Sequence, residues 1–147
     1  MMASETVFLD ANVFMYAAGS PHAYKIPCVR ILFDVETGIL PAVVNTEIFQ
    51  ELLYRYSHIG LGDRGVELCR RILEYPLRVM SVTESDLRLA LDLLTSYSVA
   101  GLRPRDAIHG ATMQNNRIAR IISADKDFDR LSFVERLDPL TYPLGRG

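Results

Sequence analysis

Short apolar runs alternate with longer segments of helical spacing along most of this chain. The runs predict strands at 7–9, 39–44, 77–82, 118–122 and 133–137. The segments between them predict helices at 11–18, 26–37, 45–58, 66–75, 83–97 and 105–115, and a short helix after residue 125. Continuous apolar strands that alternate with amphipathic helices are typical of a doubly wound α/β fold with a mainly parallel sheet.

Single residues refine this pattern. Helical spacing predicts one buried stripe on the second helix, formed by Cys28, Ile31, Leu32 and Val35. Pro41 indicates either an early position in its strand or a place away from the sheet centre. The stretch 60–65, Gly-Leu-Gly-Asp-Arg-Gly, matches a dinucleotide-binding fingerprint literally. It follows a helix and not a strand, so it is expected to be an inter-helix loop.

The composition is that of an ordinary globular protein. Its 147 residues predict one domain, spanning 1–147, and the formal net charge is -2. That charge gives no global sign of a nucleic-acid partner. If four carboxylates are held against metal ions, however, 14 acidic residues remain against 16 basic ones, and the rest of the surface is slightly basic.

The cysteines and the apolar segments favour a cytoplasmic protein. Cys28 and Cys69 lie far apart with no Cys-x-x-Cys pair, so buried free thiols are expected, and not a disulfide or a zinc site. The first five residues lack the basic region of a signal peptide, and none is expected. No window reaches the roughly 18 apolar residues of a membrane span.

Acidic residues follow the predicted strands repeatedly. Asp10 comes directly after the first strand, Glu47 after the second and Asp125 after the fourth, while Asp106 opens the helix that leads into the fourth. Parallel strands end at one edge of the sheet, where ligands bind. Each acid alone reads more simply as a helix cap or as a partner of the helix dipole. Four at one edge favour a functional site.

Carboxylates that converge in this way need a counterion. They repel one another, and burial compounds the cost, so cations make such a cluster tolerable. Oxygen ligands without cysteine or an obligate histidine suit Mg²⁺ or Mn²⁺. One or two such ions activate water in phosphoryl displacement. His109, one turn beyond Asp106, is expected to be a supporting or surface histidine and not a ligand.

Four blocks of this sequence together resemble the motifs of PIN-domain ribonucleases, most closely the toxins of VapBC-type toxin–antitoxin pairs. The blocks are Leu9-Asp-Ala-Asn-Val13, Asn45-Thr-Glu-Ile-Phe-Gln-Glu51, Pro104-Arg-Asp-Ala-Ile-His109 and Ser123-Ala-Asp-Lys-Asp-Phe128. Each block alone is weak, but the ordered combination spans essentially the whole chain. The resemblance implies a three-layer α/β/α domain, Mg²⁺- or Mn²⁺-dependent RNA cleavage, a homodimer and inhibition by a small antitoxin.

The resemblance also implies roles for individual residues. By motif position, the acids around the metal are Asp10, Glu47, Asp106 and Asp125. The predicted ligands are Asp10, Asp106 and Asp125, with Glu47 as a further ligand or an orienter of water. The predicted supporting groups are Asn12, Ser123 and Asp127. Whether Glu51 joins the site, and whether Asp127 or Asp129 shares the role of Asp125, stays open.

Basic residues near these acids are candidates for RNA phosphate contacts. They are Arg103, Arg105, Lys126, Arg117 and Arg120, and an equally good reading makes them solubilising surface charges. A haloacid-dehalogenase-like phosphatase also begins with an acid after its first strand, but it needs a carboxylate where this chain has Asn12. A non-toxin RNA-processing nuclease, or a non-catalytic PIN-like module for RNA binding or assembly, is the remaining alternative.

Overall fold

The computed structural model describes residues 6–142, and its secondary structure follows the predicted alternation. The strands are β1 (Val7–Leu9), β2 (Ala42–Asn45), β3 (Arg78–Met80), β4 (Arg120–Ile122) and β5 (Glu135–Leu137). The helices are α1 (Ala11–Ala18), α2 (Lys25–Glu36), α3 (Thr46–His58), α4 (Gly62–Ile72), α5 (Glu84–Ser96) and α6 (Pro104–Asn115), and a 3₁₀ helix covers Lys126–Arg130. The predicted absence of a signal peptide rests on residues 1–5, which lie outside the described residues.

The five strands form one parallel sheet in the order β3-β2-β1-β4-β5. β1 is central and fully buried, which confirms the reading of its continuous apolar run. Right-handed crossovers place α1 to α4 on one face, because β1, β2 and β3 succeed one another in one direction. The return from β3 to β4 places α5 and α6 on the other face. The predicted three-layer α/β/α architecture is confirmed.

The predicted buried stripe of α2 is confirmed, and both cysteines are buried free thiols. The prediction for 60–65 was wrong in one respect, because α4 already begins at Gly62. Gly65 is therefore a helical residue, and a Cβ there would lie 2.8 Å from Cβ of Tyr56 on α3. This glycine allows α3 and α4 to pack closely.

The strands β2 to β5 are all shorter than predicted. Residues 39–41 precede β2, and the carbonyl of Pro41 accepts a hydrogen bond from the backbone N–H of Val7 at 3.1 Å. Ile118 lies before β4, while Arg117 adopts a left-handed conformation with φ 59° and turns the chain out of α6. Within the part of the chain that the structure describes, no helix has the length and apolar character needed to cross a membrane.

Candidate metal centre

The candidate site lies at the carboxyl edge of the sheet, where β1, β2 and β4 end side by side. Asp10 follows β1 and is the N-cap of α1, and Asp125 follows β4 and caps the 3₁₀ helix. Asp106 lies in the first turn of α6. Each of the three acids therefore caps a helix or lies in its first turn, as a purely structural role would require. The fold nevertheless brings all three to the same edge of the sheet.

The carboxylate of Asp10 is held by two side chains and one backbone group. Its Oδ2 accepts hydrogen bonds from Ser123 Oγ at 2.6 Å and Asn12 Nδ2 at 3.2 Å, and its Oδ1 accepts one from the N–H of Ala11 at 2.8 Å. Asn12 also donates to Ser123 Oγ at 3.1 Å and accepts from the N–H of Ala124. Burial raises the pKa of Asp10, and the nearby carboxylate of Glu51 raises it further. Asn12 and Ser123, the predicted supporting residues, therefore both contact the carboxylate of Asp10.

Asp106 is a buried carboxylate whose hydrogen bonding is incomplete. Its side chain is only 5% exposed, and its Oδ2 has no hydrogen-bond partner among the described residues. Burial, followed by the charges of Asp125 and Asp10, raises the pKa of Asp106 to about 6. A buried oxygen without a partner is costly in a folded protein, so this atom requires an explanation. A cation at the edge of the sheet supplies one.

Asp127 lies close to Asp106 and Asp125, and one carboxylate oxygen of each falls within 4.8 Å of the others. Its own oxygens are already engaged, however. Oδ2 accepts from Arg103 Nη2 at 2.8 Å and Oδ1 from Arg130 Nη1 at 2.7 Å. Asp127 therefore fixes the guanidinium of Arg103 beside the site, in keeping with a supporting role.

Glu51 is the residue that sequence reasoning left open, and it lies inside the site. It is 5% exposed, and one of its carboxylate oxygens lies within 4.8 Å of ligand atoms of Asp10 and His109. Burial opposes its ionisation, but the hydrogen bond from His109 and the charges of Arg105 and Arg55 together lower the pKa of Glu51. A charged carboxylate is thus maintained beside Asp10.

Glu47 lies one turn earlier on α3 and is half-buried. Among the described residues, neither group of acids and histidines with metal-ligand spacing includes it. Asp10 and Glu51 form one group with His109, Asp106 and Asp125 form a second with Asp127, and the predicted catalytic Glu47 lies outside both groups. A sequence signal for Glu51 exists: it falls three residues after Ile48 and directly before Leu52, within the apolar stripe of α3 that is fully buried.

His109 is 1% exposed, which excludes the surface position and leaves the supporting one of the two that were expected. Its ring is oriented by Asn45, the N-cap of α3. Asn45 Oδ1 accepts from the N–H of Ile48 at 3.1 Å, which leaves Asn45 Nδ2 to donate to Thr112 Oγ1 and to His109 Nδ1, both at 3.1 Å. A donor at Nδ1 assigns the proton of the neutral ring to Nε2, which faces Glu51 Oε1 at 3.5 Å. His109 is therefore a donor towards Glu51 and not a metal ligand.

The predicted basic contacts divide into two groups. Arg103 is 61% exposed, Lys126 is exposed, and Arg105 Nε lies 3.4 Å from Glu51 Oε1, so these three surround the acids. Arg117 and Arg120 lie at the amino end of β4, the edge of the sheet opposite the acids, and Arg120 pairs with Glu135 at 3.0 Å. Proximity in sequence was misleading for these two, because a strand separates them from the carboxyl edge.

The donor set fits a divalent cation that prefers oxygen. Four carboxylates converge, two of them with raised pKa values, and one buried oxygen has no partner. A hard cation would satisfy that oxygen and offset the repulsion between the acids. The residues in position to hold it are Asp10, Glu51, Asp106 and Asp125.

Comparison with known proteins agrees with this architecture. The PIN domain family model matches residues 7–134. A VapC ribonuclease of Mycobacterium bovis is 30% identical over 131 residues, which cover 89% of this chain and 98% of the relative. Ribonuclease VapC23 of Mycobacterium tuberculosis is 31% identical over 122 residues, which cover 81% of this chain and 92% of that protein.

Solved structures share the fold at lower identity. VapC20 of Mycobacterium tuberculosis, described as a toxin that cleaves the sarcin–ricin loop, has a TM-score of 0.74 at 18% identity, covering 88% of this chain and 97% of that one. VapBC2 of Rickettsia felis, solved bound to a DNA fragment from its promoter, has a TM-score of 0.69 at 14% identity, covering 90% of this chain and 99% of that one.

Proposed function

This chain belongs to the PIN-domain family, among the VapC ribonucleases, and from that premise we propose that it is a metal-dependent endoribonuclease and the toxin of a toxin–antitoxin pair. One observation supports the metal requirement above the others. The buried Oδ2 of Asp106 has no partner among the described residues and lies among like charges that raise the pKa of its carboxyl to about 6. A module that only bound RNA would gain nothing from a buried carboxylate that its neighbours destabilise in this way.

Asp10, Glu51, Asp106 and Asp125 would hold Mg²⁺ or Mn²⁺, which would supply the Lewis acidity that activates water and stabilises charge on the phosphodiester. The chain's own residues set the geometry of that site. Ser123 and Asn12 fix the carboxylate of Asp10 with hydrogen bonds of 2.6 and 3.2 Å. His109 donates towards Glu51, whose lowered pKa keeps it ionised, so that it accepts a proton or holds a cation.

Arg103 is the residue placed to receive RNA. Asp127 holds one of its terminal nitrogens at 2.8 Å, and its side chain is largely exposed beside Asp106 and Asp125. The remaining guanidinium donors face solvent, where a phosphate can take two of them at once. Arg105 and Lys126 add charge at the same edge, and contacts of this kind position the strand without reading its sequence.

Removal of metal tests this proposal. The protein stripped with EDTA should cleave no RNA, and Mg²⁺ or Mn²⁺ added back should restore cleavage, because the proposed ligands are hard oxygens. Attack by water should leave a 5′-phosphate on one product and a 3′-hydroxyl on the other. Full cleavage by the metal-free protein, or products that end in a 2′,3′-cyclic phosphate, would contradict the mechanism.

The partners proposed are a small cognate antitoxin and a second copy of this chain. A groove of about 230 Å³ between α1, α2 and α4 exposes apolar side chains, among them Phe33 at 59% and Val29 at 43%. An amphipathic segment of the antitoxin would bury these side chains, since such segments commonly bind with their apolar face in a hydrophobic groove.

Co-expression with a short antitoxin encoded by a neighbouring gene would test the first partner, and sedimentation of the chain alone tests the second. Phe33→Glu should abolish co-purification of the antitoxin while RNA cleavage stays at the wild-type level, since a charge in the groove opposes burial. Val99→Glu, at a fully exposed loop position, is the control and should leave the complex intact. An unaffected complex in Phe33→Glu contradicts the assigned groove, and a strict monomer by sedimentation at micromolar concentration contradicts the dimer.

A further inference from the structure

Three aromatic rings at the corner between α1 and α2 have no role in the metal centre. We call Tyr16, His22 and Tyr24 the aromatic corner. The ring of Tyr16 is stacked on that of His22, with centroids 4.9 Å apart and planes at 23°, and on that of Tyr24, at 5.0 Å and 21°. His22 is exposed, whereas Tyr16 and Tyr24 are half-buried. The outermost ring of the corner is therefore backed by two others.

The aromatic corner lies towards the same edge of the sheet as the acids. α2 ends at Glu36, and residues 37–41 lead from it to the amino end of β2. Twelve helical residues span about 18 Å, so the start of α2 lies towards the carboxyl edge. A side-chain contact agrees with this placement, because the hydroxyl of Tyr24 donates to Oδ2 of Asp138, directly after β5, at 3.2 Å.

A chain of hydrogen bonds joins the corner to the metal centre. Arg136 Nη1 donates to Asp138 Oδ2 at 3.2 Å and to the carbonyl of Ser123 at 3.0 Å. Ser123 Oγ in turn donates to Asp10 at 2.6 Å. Arg136 is only 11% exposed and also pairs with Asp129 at 2.9 Å, so this connection is held at several points. The position of Tyr24 is thereby fixed relative to Asp10.

The orientation of the outer ring is fixed as well. The backbone N–H of Tyr24 donates to Nδ1 of His22 at 3.2 Å, which ties the imidazole to the turn before α2. An exposed ring that is already oriented loses little conformational entropy when a flat ligand stacks on it. Aromatic side chains beside a basic groove bind the bases of single-stranded nucleic acids in this way, with little sequence preference.

We propose that the aromatic corner is a stacking site for one unpaired nucleobase of the RNA, on a nucleotide that flanks the cleaved phosphate, with His22 as the ring that contacts it. This inference rests on the proposed ribonuclease function and adds the class of substrate. Stacking requires a base that is free of the duplex, so the preferred RNA is single-stranded or looped at this nucleotide.

Two substitutions at His22 separate stacking from the structure of the turn. His22→Asn removes the ring but keeps a side-chain acceptor for the N–H of Tyr24, as asparagine does in turns. His22→Phe keeps a ring but loses the acceptor. The probe is a short single-stranded RNA that the wild type cleaves, made as a series in which one abasic nucleotide occupies each position in turn. Binding is measured by fluorescence anisotropy. All variants carry Asp106→Asn, so that the RNA stays intact during the measurement.

The expected result is a coupled loss of affinity. In the Asp106→Asn protein, an abasic nucleotide at one position beside the cleaved bond should weaken binding by about tenfold, the order expected for one stacked base. Adding His22→Asn should weaken binding of the unmodified RNA by a similar factor and remove the penalty of the abasic nucleotide. Adding His22→Phe should keep both the affinity and that penalty.

Tyr54 and His58 on α3 provide a matched control. Their rings are also stacked, with centroids 5.7 Å apart and planes at 18°, and Tyr54 is 58% exposed. α3 begins at the carboxyl edge, so His58 lies about 18 Å along the helix from it. His58→Asn should leave the affinity and the abasic penalty unchanged.

Other outcomes overturn the inference. If His22→Asn leaves the abasic penalty in place, no base stacks on this ring, although cleavage by the wild type would still support the ribonuclease function. If His22→Asn and His22→Phe weaken binding equally, the turn matters and the ring does not. A wild type that cleaves no RNA removes the proposed function and this inference with it.

Discussion

Replacing Asp106 with asparagine should lower RNA cleavage by about 100- to 1,000-fold, the order of loss when one group that stabilises transition-state charge is removed. In metal-free solution the same protein should melt at or above the temperature of the wild type. Asparagine keeps the shape of the side chain but removes one of several like charges around a buried site. A gain in stability together with a loss of activity is common where a functional site carries strain.

The free energy of unfolding of the metal-free protein should depend on pH, and the raised pKa of Asp106 sets the direction of that dependence. The pKa of Asp106 is raised from 3.8 to about 6, so the folded chain holds a proton that the unfolded chain releases. This contribution to the free energy of unfolding is fully present below pH 3.8 and is lost as pH rises through about 6. It amounts to about 3 kcal/mol. Asp106→Asn should lack this decline, and thermal melts between pH 4 and pH 7 measure it.

Asp86 supplies a matched control for a helix-start aspartate. Like Asp106, it is buried in the first turn of its helix, but its Oδ2 accepts from the N–H of Thr83 at 3.0 Å and its Oδ1 from Asn115 at 2.7 Å. Asp86→Asn should cost about 1 kcal/mol of stability through the weakened capping box and leave cleavage intact. If Asp106→Asn behaves in the same way, Asp106 is only a structural residue.

Substitution of the two glutamates of α3 should give opposite results. Glu51→Gln should reduce cleavage by about 100-fold, because it removes a buried charge beside Asp10 and leaves Arg105 and Arg55 without their partner. Glu47→Gln should stay within about twofold of the wild type, as expected for a half-buried residue outside the site. Single-turnover cleavage by the two variants measures the difference. Loss of activity in Glu47→Gln with retention in Glu51→Gln would restore the assignment made from the sequence.

This pair of glutamates shows where sequence reasoning reached its limit. Strand and helix periods placed β1, α3 and α6 to within a few residues, and the acids after β1 and β4 followed from the edge rule for parallel sheets. Glu47 and Glu51 lie one turn apart on the same side of α3, so periodicity gives both the same direction. Burial separates the two, because Glu51 is only 5% exposed whereas Glu47 is half-buried.

Contacts between residues far apart in the sequence complete the site. Ser123 and Asp10 are 113 positions apart in sequence, yet their hydrogen bond fixes the floor of the site. The burial of His109 depends on Asn45, 64 positions earlier, whose side chain caps α3 and orients the imidazole at once. The local sequence predicts the apolar face of α6, but it does not predict that Asn45 packs against the polar His109 of that helix.

The most direct test of the central claim, that the converging carboxylates hold a divalent cation, is the thermal shift caused by Mg²⁺ in the wild type and in Asp106→Asn. A ligand that binds only the folded state adds about 2.7 kcal/mol at one hundred times its dissociation constant. The wild type should therefore melt several degrees higher in saturating Mg²⁺, Asp86→Asn should shift by the same amount, and Asp106→Asn should shift by less than half as much. Equal shifts in the wild type and Asp106→Asn, or no shift in either, would contradict the metal centre.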